Sequence, residues 1–188
     1  MSIMSGKLFV VSGPSGAGKG TLLAQVIPGL GNIHVAVSVT TRQPRLGEID
    51  GVDYFFFDDC QFDEQIASGG LLEWAAIHQA RYGTLRSEVL DAHAQGLDVV
   101  LEIDPQGARQ VKAAFPEAVL IFIEPPSIEE LRRRLYERGT ESEAAIEERI
   151  KTAVKELETK PEYDKVILND DLEAAAQELS LYMQGIVD

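Results

Sequence analysis

Short runs of apolar residues alternate with amphipathic stretches along this chain. The apolar runs are short, and several end at glycine or proline, which is typical of strands buried in a parallel sheet. The alternation therefore predicts an α/β fold in which helices cover a parallel sheet. The predicted core strands cover residues 8–11, 35–39, 98–104, 119–123 and 165–168.

Residues 40–87 have a different character, because they hold four of the seven Phe and the only Trp of the chain. Strand-like runs occur here at residues 52–57 and 71–77. The region is predicted to be a small mixed subdomain inserted into the α/β core.

Residues 128–157 show a helical and highly charged pattern that is interrupted at residues 138–140. Ser142 is placed to cap the second of these helices. A charged helical hairpin with a glycine at its bend is predicted to form a movable flap. Two further helices are expected, one beginning near Lys19 and one capped by residues 169–171 and ending at about Met183.

The chain has 188 residues, which suits one compact unit, and a formal net charge of −14. A polyanion would be repelled over most of this surface, so neither nucleic acid nor an anionic membrane is an expected partner. A mononucleotide is still compatible, because a local cluster of arginines can hold a small anion. Cys60 is the only cysteine, and no apolar run resembles a signal peptide or a membrane helix. We therefore expect a cytoplasmic protein; its oligomeric state is not readable from the sequence.

A glycine-rich segment follows the first predicted strand and opens the first helix, which is the context of a phosphate-binding loop. Its glycines let backbone N–H groups turn toward a phosphate, and the helix N-terminus adds positive potential. Lys19 is expected to reach the β- and γ-phosphates of a nucleoside triphosphate. The segment consists of Gly13, Pro14, Ser15, Gly16, Ala17, Gly18, Lys19, Gly20 and Thr21.

The residue after the lysine departs from the usual form of this loop. A Ser or Thr hydroxyl normally meets Mg²⁺ there, whereas this chain has Gly20. Thr21, one residue later, is a candidate replacement. Mg²⁺ itself is still expected, because the ion usually keeps several waters and binds through substrate phosphates.

Arg42 and Arg45 stand on either side of Pro44 in a segment poor in helix signals. Two guanidinium groups on a stiff loop suit a phosphate, whose oxygens match the arginine fork. Tyr54 and Tyr82 can add hydroxyl donors. From the spacing alone, a solvated arginine pair and two core tyrosines are equally open alternatives.

Several motifs occur in order over nearly the whole chain, and together they resemble those of the guanylate kinase family. The monophosphate-site signature of that family has the form of residues 38–56. The other matching motifs are Glu73-Trp74-Ala75, Arg81-Tyr82-Gly83-Thr84, Glu102-Ile103-Asp104-Pro105-Gln106-Gly107, Arg138-Gly139-Thr140-Glu141 and Asn169-Asp170-Asp171-Leu172.

The resemblance implies transfer of the γ-phosphoryl group of ATP to GMP, giving ADP and GDP, with Mg²⁺ as cofactor. It also implies a three-layer P-loop core with a parallel sheet, formed by residues 1–37, 88–127 and 158–188. Residues 38–87 are then the GMP-binding insertion and residues 128–157 a helical lid.

The same resemblance implies roles for individual residues. ATP is expected on the phosphate loop, with Asn169 near the adenine. The expected catalytic residues are Lys19 on the phosphate loop and three arginines of the lid, Arg134, Arg138 and Arg149. These arginines are expected to clamp the triphosphate when the lid closes. The residues expected to hold the GMP phosphate or its surroundings are Ser38, Arg42, Arg45, Tyr54 and Tyr82.

Base selection is expected to depend on Glu73 and Asp104, with help from Thr84. Guanine presents N1–H and its N2 amine as adjacent donors, which a carboxylate accepts, whereas adenine has a lone pair at N1. Glu102, two residues before Asp104 on the predicted strand, is placed to orient Mg²⁺ water. Asp104 could instead, or in addition, cap the next helix.

Two other functions are compatible with parts of this pattern. One is a kinase for another nucleoside monophosphate, such as AMP, UMP or dTMP. The other is a catalytically inactive, guanylate-kinase-like domain that binds peptides. Intact phosphate-loop and lid residues argue against the second, and the paired carboxylates argue against the first.

Overall fold

The computed structural model of the chain describes residues 6–77, 79–137 and 143–185. Over these residues the strands form a parallel sheet of five and a mixed sheet of four, so the predicted α/β fold with a parallel sheet is confirmed. The strands are β1 (Leu8–Ser12), β2 (Ile33–Val35), β3 (Ser38–Thr40), β4 (Phe55–Phe56), β5 (Leu71–Ile77), β6 (Ala80–Leu85), β7 (Asp98–Glu102), β8 (Val119–Glu124) and β9 (Lys165–Leu168). The helices are α1 (Lys19–Val26), α2 (Asp59–Ser68), α3 (Arg86–Ala94), α4 (Pro105–Ala114), α5 (Ile128–Glu137), α6 (Glu143–Leu157) and α7 (Leu172–Met183).

The described residues divide into two compact units. The first contains residues 6–8, 32–77 and 79–118, and the second contains residues 9–31, 119–137 and 143–185. No helix in the described part of the chain is both long and apolar enough to cross a membrane. The division into core, insertion and lid that the sequence suggested stays a prediction.

The first unit contains the mixed sheet, whose strand order is β4-β3-β6-β5. Strands β5 and β6 are antiparallel, and their register places Glu73 opposite Thr84. A small core of Val39, Phe62 and Leu71 lies under this sheet. Helix α2 is fixed at its start by a capping box between Asp58 and Gln61, which satisfies backbone donors that the helix leaves open.

The second unit contains β1, β8 and β9, which pair in parallel through Val10 with Leu120 and Phe122 with Val166. Strands β1 and β8 are largely buried and apolar, as expected for strands covered on both faces, whereas β9, at the end of the sheet, buries only Ile167. Helices α5 and α6 pack against each other through a separate apolar cluster. That cluster consists of Leu131, Leu135, Ile146, Ile150 and Ala153.

Three strand predictions need correction. Residues 35–39 are not one strand, because β2 ends at Val35 and β3 begins at Ser38. The reason is a change of partner: β2 pairs with β7 and β3 with β6, while the Val37 N–H between them donates to the Glu88 carboxylate at 3.0 Å. Of residues 52–57, only Phe55–Phe56 form a strand.

The third correction concerns the strand predicted over residues 98–104. Strand β7 ends at Glu102, and Asp104 is the N-cap of α4. Glu102 and Asp104 therefore do not share a strand face, contrary to the sequence argument. The run at residues 71–77 is confirmed as β5, and the last helix ends at Met183 as predicted. The interruption at residues 138–140 and the cap at Ser142 lie outside the described residues.

Candidate active site

The phosphate loop of the second unit connects β1 to α1 and depends on glycines. Gly13, Gly16 and Gly18 have φ values of 136°, 91° and 93°, a region of backbone conformation that other residues rarely adopt. At Gly13 there is also no space, since a Cβ atom would lie 2.3 Å from the carbonyl oxygen of Ile123. The loop is therefore held in a conformation that leads its backbone into the N-terminus of α1.

The predicted phosphate-binding lysine lies over this loop. The Lys19 Nζ atom donates to the carbonyl oxygens of Gly13 at 2.6 Å and Pro14 at 3.1 Å. These bonds hold the ammonium group beside the same backbone that would surround an anion. The positive charge is thus held at the phosphate loop by the loop's own backbone.

Three further predicted residues contact the loop or its neighbours. The buried Asn169 side chain donates from Nδ2 to the Ala17 carbonyl oxygen at 2.7 Å. Arg134 donates from Nη2 to the Asn169 carbonyl oxygen at 3.3 Å and from Nε to Glu130 at 2.9 Å. Arg149 donates from Nη1 to the Ser15 hydroxyl at 3.0 Å. Arg138 lies outside the described residues.

A cavity of about 390 Å³ opens beside this loop, within the range of small-molecule sites. Its lining combines loop backbone, a cation and side-chain oxygens, and consists of Gly16, Gly18, Thr21, Arg134, Glu137, Asn169, Asp170 and Leu172. The second unit thus offers a volume that suits part of a nucleotide next to a phosphate loop.

The first unit contains a buried carboxylate. Glu73 on β5 is 3% exposed and Thr84 on β6 is 1% exposed, and the Thr84 hydroxyl donates to Glu73 Oε1 at 2.7 Å. Strand register brings the two together, because they lie opposite each other in the antiparallel pair.

The start of helix α4 completes this group. Asp104 caps the helix by accepting the Gly107 N–H at 3.0 Å through Oδ1. A Cβ atom on Gly107 would lie 2.4 Å from Glu73 Oε2, so the helix backbone approaches the buried carboxylate as closely as a glycine allows. The structure therefore brings together Glu73, Thr84 and Asp104, the three residues that the sequence assigned to base selection.

The environment of Glu73 changes its protonation. Burial raises the pKa of Glu73 from 4.5 to about 7, and the negative charge of Asp104 acts in the same direction. The hydroxyl of Thr84 opposes the shift by donating to the carboxylate. Donors from a ligand would favour the ionised form of this carboxyl group and so lower its pKa again.

We predict that this shift makes the stability of the chain depend on pH. Between pH 4.5 and about 7 the folded chain keeps a proton on Glu73 that the unfolded chain has lost, so the unfolding free energy falls as pH rises. The expected loss relative to Glu73→Gln is about 3 kcal/mol across this window, and it levels off above it. Urea unfolding at a series of pH values measures it, with the exposed Glu64→Gln as the control variant. A constant difference between the chain and Glu73→Gln would contradict the prediction.

The predicted phosphate arginines lie in the loop before β4. Arg42 makes a two-pronged ion pair with Glu48, at 2.9 Å from Nη1 and 2.8 Å from Nη2, and its guanidinium lies 5.3 Å from the centre of the Tyr54 ring. Glu48 also accepts the Arg45 backbone N–H at 2.6 Å. These bonds lower the pKa of Glu48 to about 2, so one carboxylate organises the loop that carries both arginines.

The remaining predicted residues of the first unit are distributed around this loop and its sheet. Tyr54 and Tyr82 are in edge contact, with ring centres 6.1 Å apart, and Ser38 is opposite Thr84 in the β3–β6 register. Burial raises the pKa of Tyr54, and the charge of Glu102 adds to this effect. Arg45 has an exposed side chain.

Comparison with known proteins finds one matching family and several similar relatives. The model of the guanylate kinase family matches residues 5–185. The chain belongs to the guanylate kinase family. A guanylate kinase of Synechococcus sp. (strain CC9311) is 52% identical over 174 residues, which cover 93% of this chain and 92% of the relative. A guanylate kinase of Clostridioides difficile (strain 630) is 46% identical over 100% of this chain and 89% of its own length.

A solved guanylate kinase structure from Anaplasma phagocytophilum is also similar to this chain. The two share 34% sequence identity with a TM-score of 0.78, and the match covers 98% of this chain and 88% of the other. Membership of the guanylate kinase family therefore agrees with the sequence resemblance and with the fold.

Glu48 is the main residue that the sequence argument did not assign, although it lies inside the guanylate kinase signature at residues 38–56. An acidic residue three positions after Arg45 is a recognisable signal, because it can fold back on the basic residues before it. From the sequence, these arginines are interpreted either as phosphate ligands or as a solvated surface pair, and neither interpretation gives them an internal partner. The structure shows that Arg42 also has an internal partner.

Proposed function

We propose that this chain transfers the γ-phosphoryl group of ATP to GMP, giving ADP and GDP. The observation that carries the proposal is the buried Glu73 carboxylate, bonded to Thr84 and packed against the helix that Asp104 caps. In its ionised form this carboxylate accepts the adjacent N1–H and N2–H donors of guanine. Adenine would place a lone pair against it, and an unpaired buried charge is costly. The guanylate kinase names of the relatives support the same reaction.

The phosphate of GMP is assigned to the loop with Arg42 and Arg45 and to the hydroxyl groups of Tyr54 and Tyr82. Arg42 is already oriented by Glu48 and by the face of the Tyr54 ring. An arginine whose rotamer is fixed loses less entropy when it binds an anion. Ser38, on β3, belongs to the same proposed group.

ATP is assigned to the loop at residues 13–21, with the backbone N–H groups and Lys19 on its phosphates and Asn169 toward its base. Arg134 and Arg149 contribute positive charge beside the loop, and Arg138 belongs to the same proposed group by sequence. Phosphoryl transfer depends mainly on in-line positioning and on neutralising the equatorial oxygens. No general base is needed, because the attacking phosphate oxygen of GMP is already anionic.

Mg²⁺ is the proposed cofactor. The described residues contain no group of three His, Cys, Asp or Glu side chains that could hold a metal, which suits an ion bound through phosphates and water. Thr21, which lines the cavity beside the loop, is the candidate hydroxyl ligand, and Glu102 the candidate acid for orienting water. When bound, the ion neutralises charge on the phosphate oxygens.

The deciding experiment is ADP formation from ATP with a panel of acceptors: GMP, AMP, UMP and dTMP. We expect kcat/KM for GMP to exceed that for AMP on the order of 10⁴-fold, because AMP leaves the buried carboxylate without its donors. A reaction without acceptor measures background ATP hydrolysis. Preference for another monophosphate would support the first alternative function, and turnover with none of the four would support a peptide-binding domain. The cytoplasmic location and the absence of nucleic-acid and membrane partners stay predictions.

A further inference from the structure

Strand β5, which carries Glu73, lies at the end of the mixed sheet. On one side it pairs with β6. On its other side the side-chain amide of Gln110, from helix α4, takes the place of a neighbouring strand. Gln110 Oε1 accepts the Trp74 N–H at 3.2 Å, and Gln110 Nε2 donates to the Trp74 carbonyl oxygen at 2.7 Å.

These two hydrogen bonds satisfy the backbone N–H and carbonyl groups of Trp74, the residue next to Glu73. Buried or edge backbone groups in strands need such partners, and an edge strand otherwise depends on water for them. The Trp74 side chain is 37% exposed and meets the Phe62 ring only at its edge, with ring centres 6.2 Å apart. The Gln110 amide therefore links this part of β5 to helix α4 through two hydrogen bonds.

Three positions of helix α4 belong to, or contact, the residues proposed to select the base and their neighbour Trp74. Asp104 is its N-cap, Gly107 approaches Glu73 Oε2, and Gln110 holds Trp74. These positions are spaced three residues apart, so they lie along one side of the helix. Helix α4 thus begins at one carboxylate, Asp104, and contacts the strand that carries the other, Glu73.

We propose that Gln110 is a positioning residue for guanine recognition, and this inference rests on the proposed function. Gln110 holds the backbone of β5 on helix α4, and this sets the separation between the carboxylates of Glu73 and Asp104. Guanine recognition depends on that separation, because its N1–H and one N2–H point at Glu73 and the second N2–H is left for Asp104. Gln110 itself makes no contact with the base in this proposal.

The test compares Gln110→Ala and Gln110→Glu with the parent chain. The alanine variant removes both bonds, whereas the glutamate variant keeps the acceptor for the Trp74 N–H and loses the donor. Gln95→Ala is the matched control, because Gln95 is exposed and bonds only locally, to the Asp91 carbonyl oxygen at 3.1 Å. The readouts are kcat, the KM values for GMP and ATP, and the ratio of kcat/KM for GMP to that for IMP, which lacks the N2 amine.

We expect Gln110→Ala to raise the KM for GMP on the order of 10-fold, because small displacements of binding groups have large effects. The KM for ATP and kcat should change less than about twofold, because the residues proposed to hold ATP belong to the other unit. The GMP to IMP ratio should fall, and Gln110→Glu should lower it as well, because its carboxylate loses the bond to the Trp74 carbonyl oxygen and repels that oxygen. Titration of the fluorescence of Trp74, the only Trp of the chain, gives the Kd for GMP without turnover.

Three results would overturn the inference. A lower Tm of Gln110→Ala with an unchanged GMP to IMP ratio would show a purely structural role. Equal rises in the KM values for GMP and ATP would show a general disturbance. A parent chain without GMP-dependent turnover would remove the proposed function itself, and this failure is distinguished from the others because it appears before any variant is compared.

Discussion

Replacing Lys19 with alanine should lower kcat on the order of 10²–10³-fold, the cost of removing one pre-placed donor to developing charge. The Lys19 ammonium is held over the phosphate loop by the carbonyl oxygens of Gly13 and Pro14. Transfer of the γ-phosphoryl group spreads charge over its equatorial oxygens, and Lys19 is the proposed cation at that position. Alanine removes the charge without changing the glycines that set the loop conformation.

The measurement is kcat at saturating ATP and GMP, together with the Kd for GMP from Trp74 fluorescence. Lys151→Ala is the control, because Lys151 on α6 is exposed and pairs only weakly with Glu148, at 3.6 Å. The Kd for GMP should stay close to that of the parent, because the proposed GMP residues belong to the other unit. A Lys19→Ala variant that retained parental kcat would refute the assignment of ATP to this loop.

The elements that hold the phosphate loop could be predicted from the sequence because their signals are local. Strand β1, the glycines after it and the start of α1 at Lys19 lie within one short segment. The capping residues before α7 are equally local, since Asp171 accepts the Ala174 N–H three residues later. Hydrophobic period and capping chemistry therefore sufficed for them.

The mixed sheet was harder to predict because its strands depend on partners far along the chain. Strand β6 was not predicted, although it holds β3 on one side and β5 on the other. Its sequence includes Gly83 and Arg81, which weaken a strand pattern. Helix α2 was also missed; its capping box at Asp58 and Gln61 was the available signal. The break between β2 and β3 depends on Glu88, which is about 50 residues away and invisible to a local pattern.

The site residues were predicted through motifs, whereas their internal partners were not. Arg42 is paired with Glu48, Arg134 with Glu130, and Arg149 with the Ser15 hydroxyl. These partners restrict the side chain of each arginine, which reduces the entropy that it would lose on binding an anion. They also explain how a chain with net charge −14 can present cations at defined positions.

The second large effect is expected for Glu73→Gln, which should lower kcat/KM for GMP on the order of 10²-fold. The parent carboxylate accepts two guanine donors, and each hydrogen bond to a charged group contributes about 1.5–3 kcal/mol. The glutamine amide offers one acceptor, and its NH₂ group would face a donor of the base. The same NH₂ group suits the N1 lone pair of adenine, so the preference for GMP over AMP should fall by at least about as much.

The comparison of GMP with AMP separates recognition from folding. A variant that was only less stable would lose activity with both acceptors, whereas loss of recognition changes their ratio. Burial of Glu73 at 3% exposure makes the neutral glutamine less costly to bury than the carboxylate, so this variant should fold at least as well as the parent at neutral pH. Glu64→Gln, on the exposed face of α2, should leave the ratio unchanged. An unchanged GMP to AMP ratio in Glu73→Gln would overturn the assignment of GMP as the acceptor. Among the described residues, Glu73 is the only buried carboxylate that could select the base.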